Sequence, residues 1–486
     1  MKLVKMSISK MNYIYNTFYQ LLLIIIPLIT TPYISRVLGV ENVGIYSYSN
    51  SIAYYFVMFI MLGLNNYGNR SIAYVKDDKK ILSKVFNEIY FMQFLLALFI
   101  IFIYIISGLL LFNNSITWIM LIYVISALFD INWLFFGLEK FKITVIRNSI
   151  IKIISTILIF VLVKNTGDLY IYALINVASI LLSQIVLWFY VKKYVDIYRV
   201  SLKSTFKHIK PNLILFIPVV AISLYKIMDK IMLGSLSTMK QVGFYESTEK
   251  IVQVPLALIT SLGTVMMPKI SYLIAKNKSD NTKEYIEKSI YFVVFIASAI
   301  CFGIISVSSE FVPLYYGKNY EPCIILFKIL MPSCLFLSIA NVIRTQFLIP
   351  NRYDKIYIIS VITGAVVNLI INFMLIPRIN SVGAAIGTLV AEASVCIMQL
   401  ILIRKKIKIF DAILKSLKYV LIGIIMYMSL LYIPSFGNNS LYNLMIKIIM
   451  GGSIYIIFSF FFIKKDFFMK NNNLKNVKKE GERKWR

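Results

Sequence analysis

The stretch LYKIMDKIMLG, Leu224 to Gly234, places Lys226, Asp229 and Lys230 within five residues of an otherwise apolar run. Lysines hold oxyanions, and a carboxylate can take up a proton or a sodium ion. The same residue types recur at helical spacing elsewhere. Glu246, Glu249, Lys250 and Gln253 stand at i, i+3, i+4 and i+7; Ser338, Asn341, Arg344 and Thr345 form a second stripe, and Ser47, Asn50, Ser51 and Tyr54 a third. Asp130, Lys152, Asn368, Asn372, Thr388, Glu392 and Gln399 interrupt further apolar segments. No catalytic set accompanies them. The lone histidine, His208, lies in a basic stretch and is expected to be solvated, and Cys301, Cys323, Cys334 and Cys396 lack C-x-x-C spacing. With no phosphate loop of the G-x-x-x-x-G-K-[ST] type, neither a cofactor, a metal nor a fused ATPase is expected. Energy must then come from a gradient, a partner or the cargo.

The elements that carry these residues belong in a membrane. Of 486 residues, 59% are hydrophobic and 15% charged, and the mean hydropathy is +0.78. That is too apolar for a soluble globular chain. Runs long enough to cross a ~30 Å hydrocarbon core fall at 12–35, 44–64, 86–112, 116–137, 148–165, 169–190, 211–234, 246–268, 289–309, 323–349, 356–377, 383–403, 414–433 and 441–463. The expected fold is an all-α polytopic membrane protein of about 14 transmembrane helices. Three charges on the segment 211–234 cost about 8–10 kcal/mol at helix centre, against roughly 4–7 returned by its apolar residues. Facing lipid, this segment loses. At 100° per residue Lys226, Asp229 and Lys230 share one arc, so they can line a cavity; an ion pair between Lys226 and Asp229 that pins the helix to its neighbours is the plainer alternative.

Charge position gives the orientation. The net charge is +29, but Lys and Arg fall in short clusters between apolar blocks, which argues against a nucleic-acid surface. With a cytoplasmic N-terminus, 39 of the 51 Lys and Arg lie at cytoplasmic ends and loops, seven lie within segments, and five lie opposite: Arg36, Lys164, Lys240, Lys318 and Arg378. Both termini are therefore expected in the cytoplasm. The Lys-led start lacks a small-x-small cleavage site and reads as a retained first helix.

An internal repeat organises the segments. RVLGVENVGIYSYSN after the first is answered by IMLGSLSTMKQVGFYESTEK after the seventh: Leu38-Gly39 by Leu233-Gly234, and Val43 to Tyr46 by Val242 to Tyr245. Leu62-Gly63 and Leu262-Gly263 continue the register. The implied duplication is six helices, 1–205 and 206–408, followed by two more helices at 409–463 and a basic cytoplasmic tail at 464–486. An even-numbered unit keeps its orientation, so the halves should be related by a twofold along the membrane normal.

The region Pro27 to Ala73, with DINWLFFGLEKFK at 130–142 and DKIMLG at 229–234, resembles the bacterial polysaccharide flippases, the Wzx-like branch of the multidrug/oligosaccharidyl-lipid/polysaccharide exporter superfamily. The resemblance covers most of the chain and fades over the last two helices. It implies a MATE-like pair of six-helix bundles around a central cavity and movement of a polyprenyl-diphosphate-linked oligosaccharide, such as an O-antigen or capsule unit, from the inner to the outer leaflet of the bacterial plasma membrane. The implied partners are that lipid-linked oligosaccharide, membrane lipid, a polysaccharide polymerase and glycosyltransferases; nucleic acid is not among them. Such a cargo needs cations for its diphosphate and hydroxyl, amide and aromatic groups for its sugars. The candidates are Arg36, Asn50, Lys152, Lys226, Lys230, Lys250, Asn341 and Arg344, with Asp130, Asp229, Glu249 and Glu392 as ion-coupling carboxylates. Arg344 is the leading phosphate ligand because a guanidinium forks onto phosphate oxygens, and Arg36 has an interfacial pair with Glu41 as its alternative. Among the interior candidates, six cations stand against five carboxylates, counting Glu246, so the site is not plainly cationic. Pro27, Pro32, Pro218 and Pro255 are expected to kink the gate helices. The rival readings are a cation-coupled small-molecule antiporter of the same superfamily and a membrane glycosyltransferase or polymerase, for which the outer loops are too short.

Overall fold

A backbone that crosses hydrocarbon must satisfy its own N–H and C=O groups, and a chain this apolar does so as helix. The computed structural model describes residues 2–110, 114–276, 279–434, 440–463 and 466, with side chains from Tyr19 on apart from a few positions, and contains no strand among them. The basic tail at 464–486, Asp466 apart, lies outside the described residues. The helices are α1 (Lys2–Met61), α2 (Leu64–Val75), α3 (Lys79–Leu110), α4 (Ser115–Ser126), α5 (Asn132–Gly137), α6 (Phe141–Leu162), α7 (Leu169–Val191), α8 (Leu202–Phe206) and α9 (Ile209–Lys226). They continue with α10 (Met228–Leu236), α11 (Met239–Ala275), α12 (Ser279–Tyr315), α13 (Pro322–Leu330), α14 (Ser333–Ile343), α15 (Asp354–Ile403), α16 (Phe410–Leu431) and α17 (Ser440–Ile463). Among the described residues, 11 helical stretches are long and apolar enough to span a membrane. Among the described residues, each of the fourteen expected segments falls mainly on helical chain.

Some interruptions fall between expected segments, at Gly39 and at Ile379–Asn380, and others fall inside them. Helix α1 is two rods joined at Gly39 (φ 79, ψ 166), a backbone that a β-carbon would strain. Helix α15 breaks at Ile379 and Asn380. The expected single segments 116–137 and 211–234 are each broken, near Asp130 and at Ile227 (φ −124, ψ −32). Pro27, Pro32, Pro218 and Pro255, expected to mark the kinks, all lie inside continuous helical stretches.

Packing divides the chain into two compact units. The first comprises Met1–Val254, Tyr315–Leu326 and Val361–Ala391; the second comprises Pro255–Leu314, Phe327–Ser360 and the chain from Glu392 on. In the first unit, one apolar cluster joins α1, α3, α4, α6 and α7 around Leu38, Ala53, Met120 and Ala173. Another gathers Phe86, Trp133 and Leu187. In the second, Val293, Ala297, Tyr419, Met426 and Tyr455 join α12, α16 and α17.

The repeated V-G-[IF]-Y motif has a packing cause. A β-carbon on Gly44 would lie 1.7 Å from the Met239 carbonyl oxygen, and one on Gly243 would lie 1.9 Å from the Val40 carbonyl oxygen. Each repeat's glycine thus lets its backbone touch the other repeat's chain. The contact is reciprocal, and it closes the ends of the two helix pairs against each other just past the Gly39 break.

Candidate functional site

Below that seal a chamber of about 240 Å³ opens within the first unit. Helix α1 contributes Thr30, Thr31 and Asn50, α6 contributes Lys152 and Thr156, α7 contributes Tyr172 and Asn176, and α11 contributes Glu246 and Lys250. Two lysines therefore face one glutamate. The excess cation is Lys152, which forms no ion pair among the described residues.

Behind the chamber wall lies a charge network. Lys230 Nζ is 2.7 Å from Glu246 Oε2 and 3.0 Å from Glu249 Oε2. Lys250 reaches the other Glu246 oxygen at 3.1 Å, one helical turn away. The Ser47 hydroxyl donates to Glu246 Oε2 at 2.9 Å. Ser47 and Glu246 occupy equivalent places in the two repeats, counted from Gly44 and Gly243. With Lys152 included, three lysines meet two glutamates, so the local charge is net positive although the whole set of interior candidates is close to balanced.

Asp229 has a different environment. Its side chain is completely buried. Oδ2 accepts from the Tyr245 hydroxyl at 2.7 Å and from Thr388 Oγ1 at 2.6 Å, and Oδ1 accepts from Asn372 Nδ2 at 2.5 Å. Asn372 Nδ2 also reaches Asn368 Oδ1 at 3.2 Å. No cation pairs with Asp229 among the described residues. A buried carboxylate without a counter-charge is costly, and this one is held by donors on α11 and α15 that a bound cation or proton would complement.

The structure separates residues that a continuous helix would have put together. Lys226 ends α9 and is exposed, whereas Asp229 opens α10 after the break at Ile227 and turns inward. The Lys226–Asp229 ion pair, the plainer alternative to cavity lining, is not formed; Lys230, not Lys226, carries the ion pairs of this stretch. Asn50, Lys152 and Lys250 share the chamber, and Lys230 and Glu249 lie one contact away. Arg36 lines a different pocket at the far side of the seal. Asp130 Oδ1 accepts from the Asn132 backbone N–H at 3.0 Å and from Asn132 Nδ2 at 2.7 Å, just ahead of α5. Asn341, Arg344 and Glu392 belong to the second unit. There Arg344 Nη2 donates to Asn341 Oδ1 at 2.7 Å and the guanidinium stands 5.8 Å from the Tyr357 ring.

Two polar groups escaped the sequence reading. Arg147, one residue before the expected segment 148–165, is buried and donates to the Ser183 carbonyl at 2.6 Å, Asn148 Oδ1 at 2.6 Å and Asn132 Oδ1 at 3.0 Å. A window begun one turn earlier would have included it. His208 is not solvated. It is buried, 2.6 Å from the Tyr67 hydroxyl through Nδ1 and 3.1 Å from Glu88 Oε2 through Nε2, and Glu88 also holds Lys207 at 2.7 Å. The four cysteines are free and buried.

This arrangement has relatives. The putative O-antigen transporter of Escherichia coli K12 is 26% identical over 407 residues, covering 82% of this chain and 97% of that one. Among solved structures, the lipid II flippase MurJ in an inward closed conformation superposes with a TM-score of 0.74 at 18% identity, covering 94% of this chain and 99% of that one. An inward-facing multidrug resistance MATE transporter of the MOP superfamily matches with a TM-score of 0.54 at 13% identity over 85% of this chain and all of that one. The expected MATE-like, all-α membrane fold is thereby established. Residues 9–274, more than half of the sequence, match the family described as polysaccharide biosynthesis protein, and the chain belongs to that family.

Proposed function

We propose that the protein is a flippase that carries a polyprenyl-diphosphate-linked oligosaccharide from the inner to the outer leaflet by alternating access, for cell-surface polysaccharide synthesis. The observation that carries this reading is the chamber under the glycine seal, where Lys152 and Lys250 outnumber Glu246. Its volume of about 240 Å³ suits a diphosphate and not the glycan behind it, so the helices around it must part for loading. Asn50, Asn176 and Tyr172 supply amide and hydroxyl groups beside the cations. Arg344 and Asn341 form a second candidate contact in the other unit. A small-molecule cation antiporter would need a chamber of the opposite sign.

Asp229 is the coupling group in this scheme. Of the four carboxylates considered, it combines complete burial, three donors and no cationic partner, whereas Glu249 is neutralised by Lys230. A proton or sodium ion bound there changes the charge that α10 presents, and so the balance between inward and outward states. We further take the six-helix halves at 1–205 and 206–408 as the rocking bodies and place both termini in the cytoplasm, the chain residing in the bacterial inner membrane. It acts without covalent chemistry, beside the glycosyltransferases that build its cargo and the polymerase that consumes it.

The test is depletion of the protein followed by identification of lipid-linked oligosaccharide by leaflet. Accumulation on the cytoplasmic side with loss of polymer is expected; continued polymer export without accumulation refutes the reading.

A further inference from the structure

On the far side of the Gly44–Gly243 seal lies a second basin, about 680 Å³ in volume and open to the surface, also within the first unit. Three cations line it: Arg36 at the end of the first rod of α1, Lys240 in the first turn of α11, and Lys318 in the turn after α12. One carboxylate, Glu41, faces them. Lys240 and Lys318 form no ion pair among the described residues, and Lys240 leans toward the Phe244 ring at 6.0 Å.

Topology alone does not account for this concentration. Charge bias leaves only five Lys and Arg at the outer ends and loops, and three of those five meet in this one basin. They come from segments far apart in sequence, so no local charge run brought them together. The basin and the chamber beneath it share a thin wall. Ser35 lines both. Its hydroxyl donates to the Tyr316 carbonyl at 3.1 Å, and the buried Tyr316 hydroxyl donates to the Ser247 carbonyl at 2.7 Å.

We propose that this basin is an exit site for an oxyanion of the cargo, taking either the diphosphate of the lipid carrier or the carboxylate of an acidic sugar after passage through the seal. This rests on the flippase reading above. A carrier that held its anion only in the inner chamber would release it straight into a cation-poor surface. A cationic basin next to the chamber gives the anion a second, open resting place and shortens the step at which it is unpaired. The volume lies within the range of small-ligand sites, roughly 300–1,000 Å³.

The test uses the full-length protein in right-side-out proteoliposomes. Thr166, exposed on the basin rim, is changed to Cys. The four native cysteines are buried, so the new thiol reports. A membrane-impermeant maleimide added outside should label T166C. Pyrophosphate in the outer medium should slow that labelling at least fivefold if the site takes the diphosphate, and glucuronate should do so if it takes an acidic sugar. In T166C/K240Q/K318Q, labelling without anion should proceed at the same rate, which controls for folding, while the half-protecting concentration should rise at least tenfold. Protection by neither anion, equal protection with and without the two lysines, or labelling from the inner face alone overturns the proposal. The K240Q/K318Q pair should also export polymer several-fold more slowly than the unaltered chain. If the unaltered chain moves no lipid-linked oligosaccharide although pyrophosphate protects it in a lysine-dependent way, the flippase reading fails and the oxyanion site itself stands. If transport is normal and protection is absent, the exit site fails alone.

Discussion

Replacing Gly243 by alanine should hold the seal open. The new β-carbon would lie 1.9 Å from the Val40 carbonyl oxygen, about 1.5 Å short of the 3.4 Å at which ordinary contact begins, and the obstacle is backbone rather than a flexible side chain. The α1 and α11 backbones must therefore separate by about that distance. Overpacking of this kind costs roughly 1–3 kcal/mol. Because the cost falls only on the closed arrangement, the ratio of sealed to open protein should drop about 5- to 140-fold, at 1.4 kcal/mol per factor of ten. The assay places Asn50→Cys in the inner chamber and follows its reaction with an impermeant maleimide from outside. G243A should raise that rate toward the computed ratio and reduce polymer export, at unchanged abundance in the membrane. G44A should do the same, since its β-carbon would meet Met239 oxygen at 1.7 Å. G452A, where nothing lies within 4 Å, is the neutral control. A G243A protein that transports normally and leaves N50C as unreactive as before would refute the assignment of a gate to this contact.

D229N should reach the membrane in normal amounts yet lose at least tenfold in ion-dependent transport, measured as polymer export under an imposed proton or sodium gradient; retained ion dependence would remove Asp229 from that role. The charge exchange K226D/D229K should not recover activity, because the two side chains lie on opposite sides of the Ile227 break and never pair. K230Q leaves Glu246 and Glu249 facing each other without their shared cation and should destabilise by about 3–5 kcal/mol, read as a lower melting temperature in detergent, with E249Q in the same molecule recovering part of the loss. Reporters active only in the cytoplasm should work when fused after Lys193 and fail after Asn114 or Lys318; a reversal at any of these points breaks the orientation on which the exit site depends.

The membrane class and the helical segments were legible because hydrophobic length and loop charge act on twenty residues at a time, and averages over such windows are robust to single positions. Breaks are decided by single positions and their partners. Asp229 leaves the line of α9 because Tyr245, Thr388 and Asn372 hold its carboxylate, and two of those three come from a helix about 150 residues later in the chain. No local pattern announces that capture, so Lys226 and Asp229 looked like neighbours on one face. Gly39 adopts a backbone that other residues resist, and it falls between the expected segments 12–35 and 44–64. His208 was placed among lysines by sequence, yet its environment is set by Tyr67 and Glu88, neither of which lies near it in the chain.

The repeat explains which parts of the site are symmetric and which are not. At the seal each half must present its backbone to the other, and any β-carbon from either side intrudes, so glycine stands at both equivalent positions, 44 and 243. One turn further along, no such mutual constraint operates. The register that aligns those glycines sets Ser47 against Glu246, Asn50 against Glu249 and Ser51 against Lys250. The first-half helix therefore offers hydroxyl and amide groups where the second-half helix offers charges, and the Ser47–Glu246 hydrogen bond joins the two at equivalent places. The charged stripe of α11 is largely satisfied by Lys230 and Lys250 against its own glutamates. On the flippase reading proposed above, the cation for an anionic cargo comes from outside the repeat pair, and we assign that role to Lys152 on α6, which lines the chamber and forms no ion pair among the described residues.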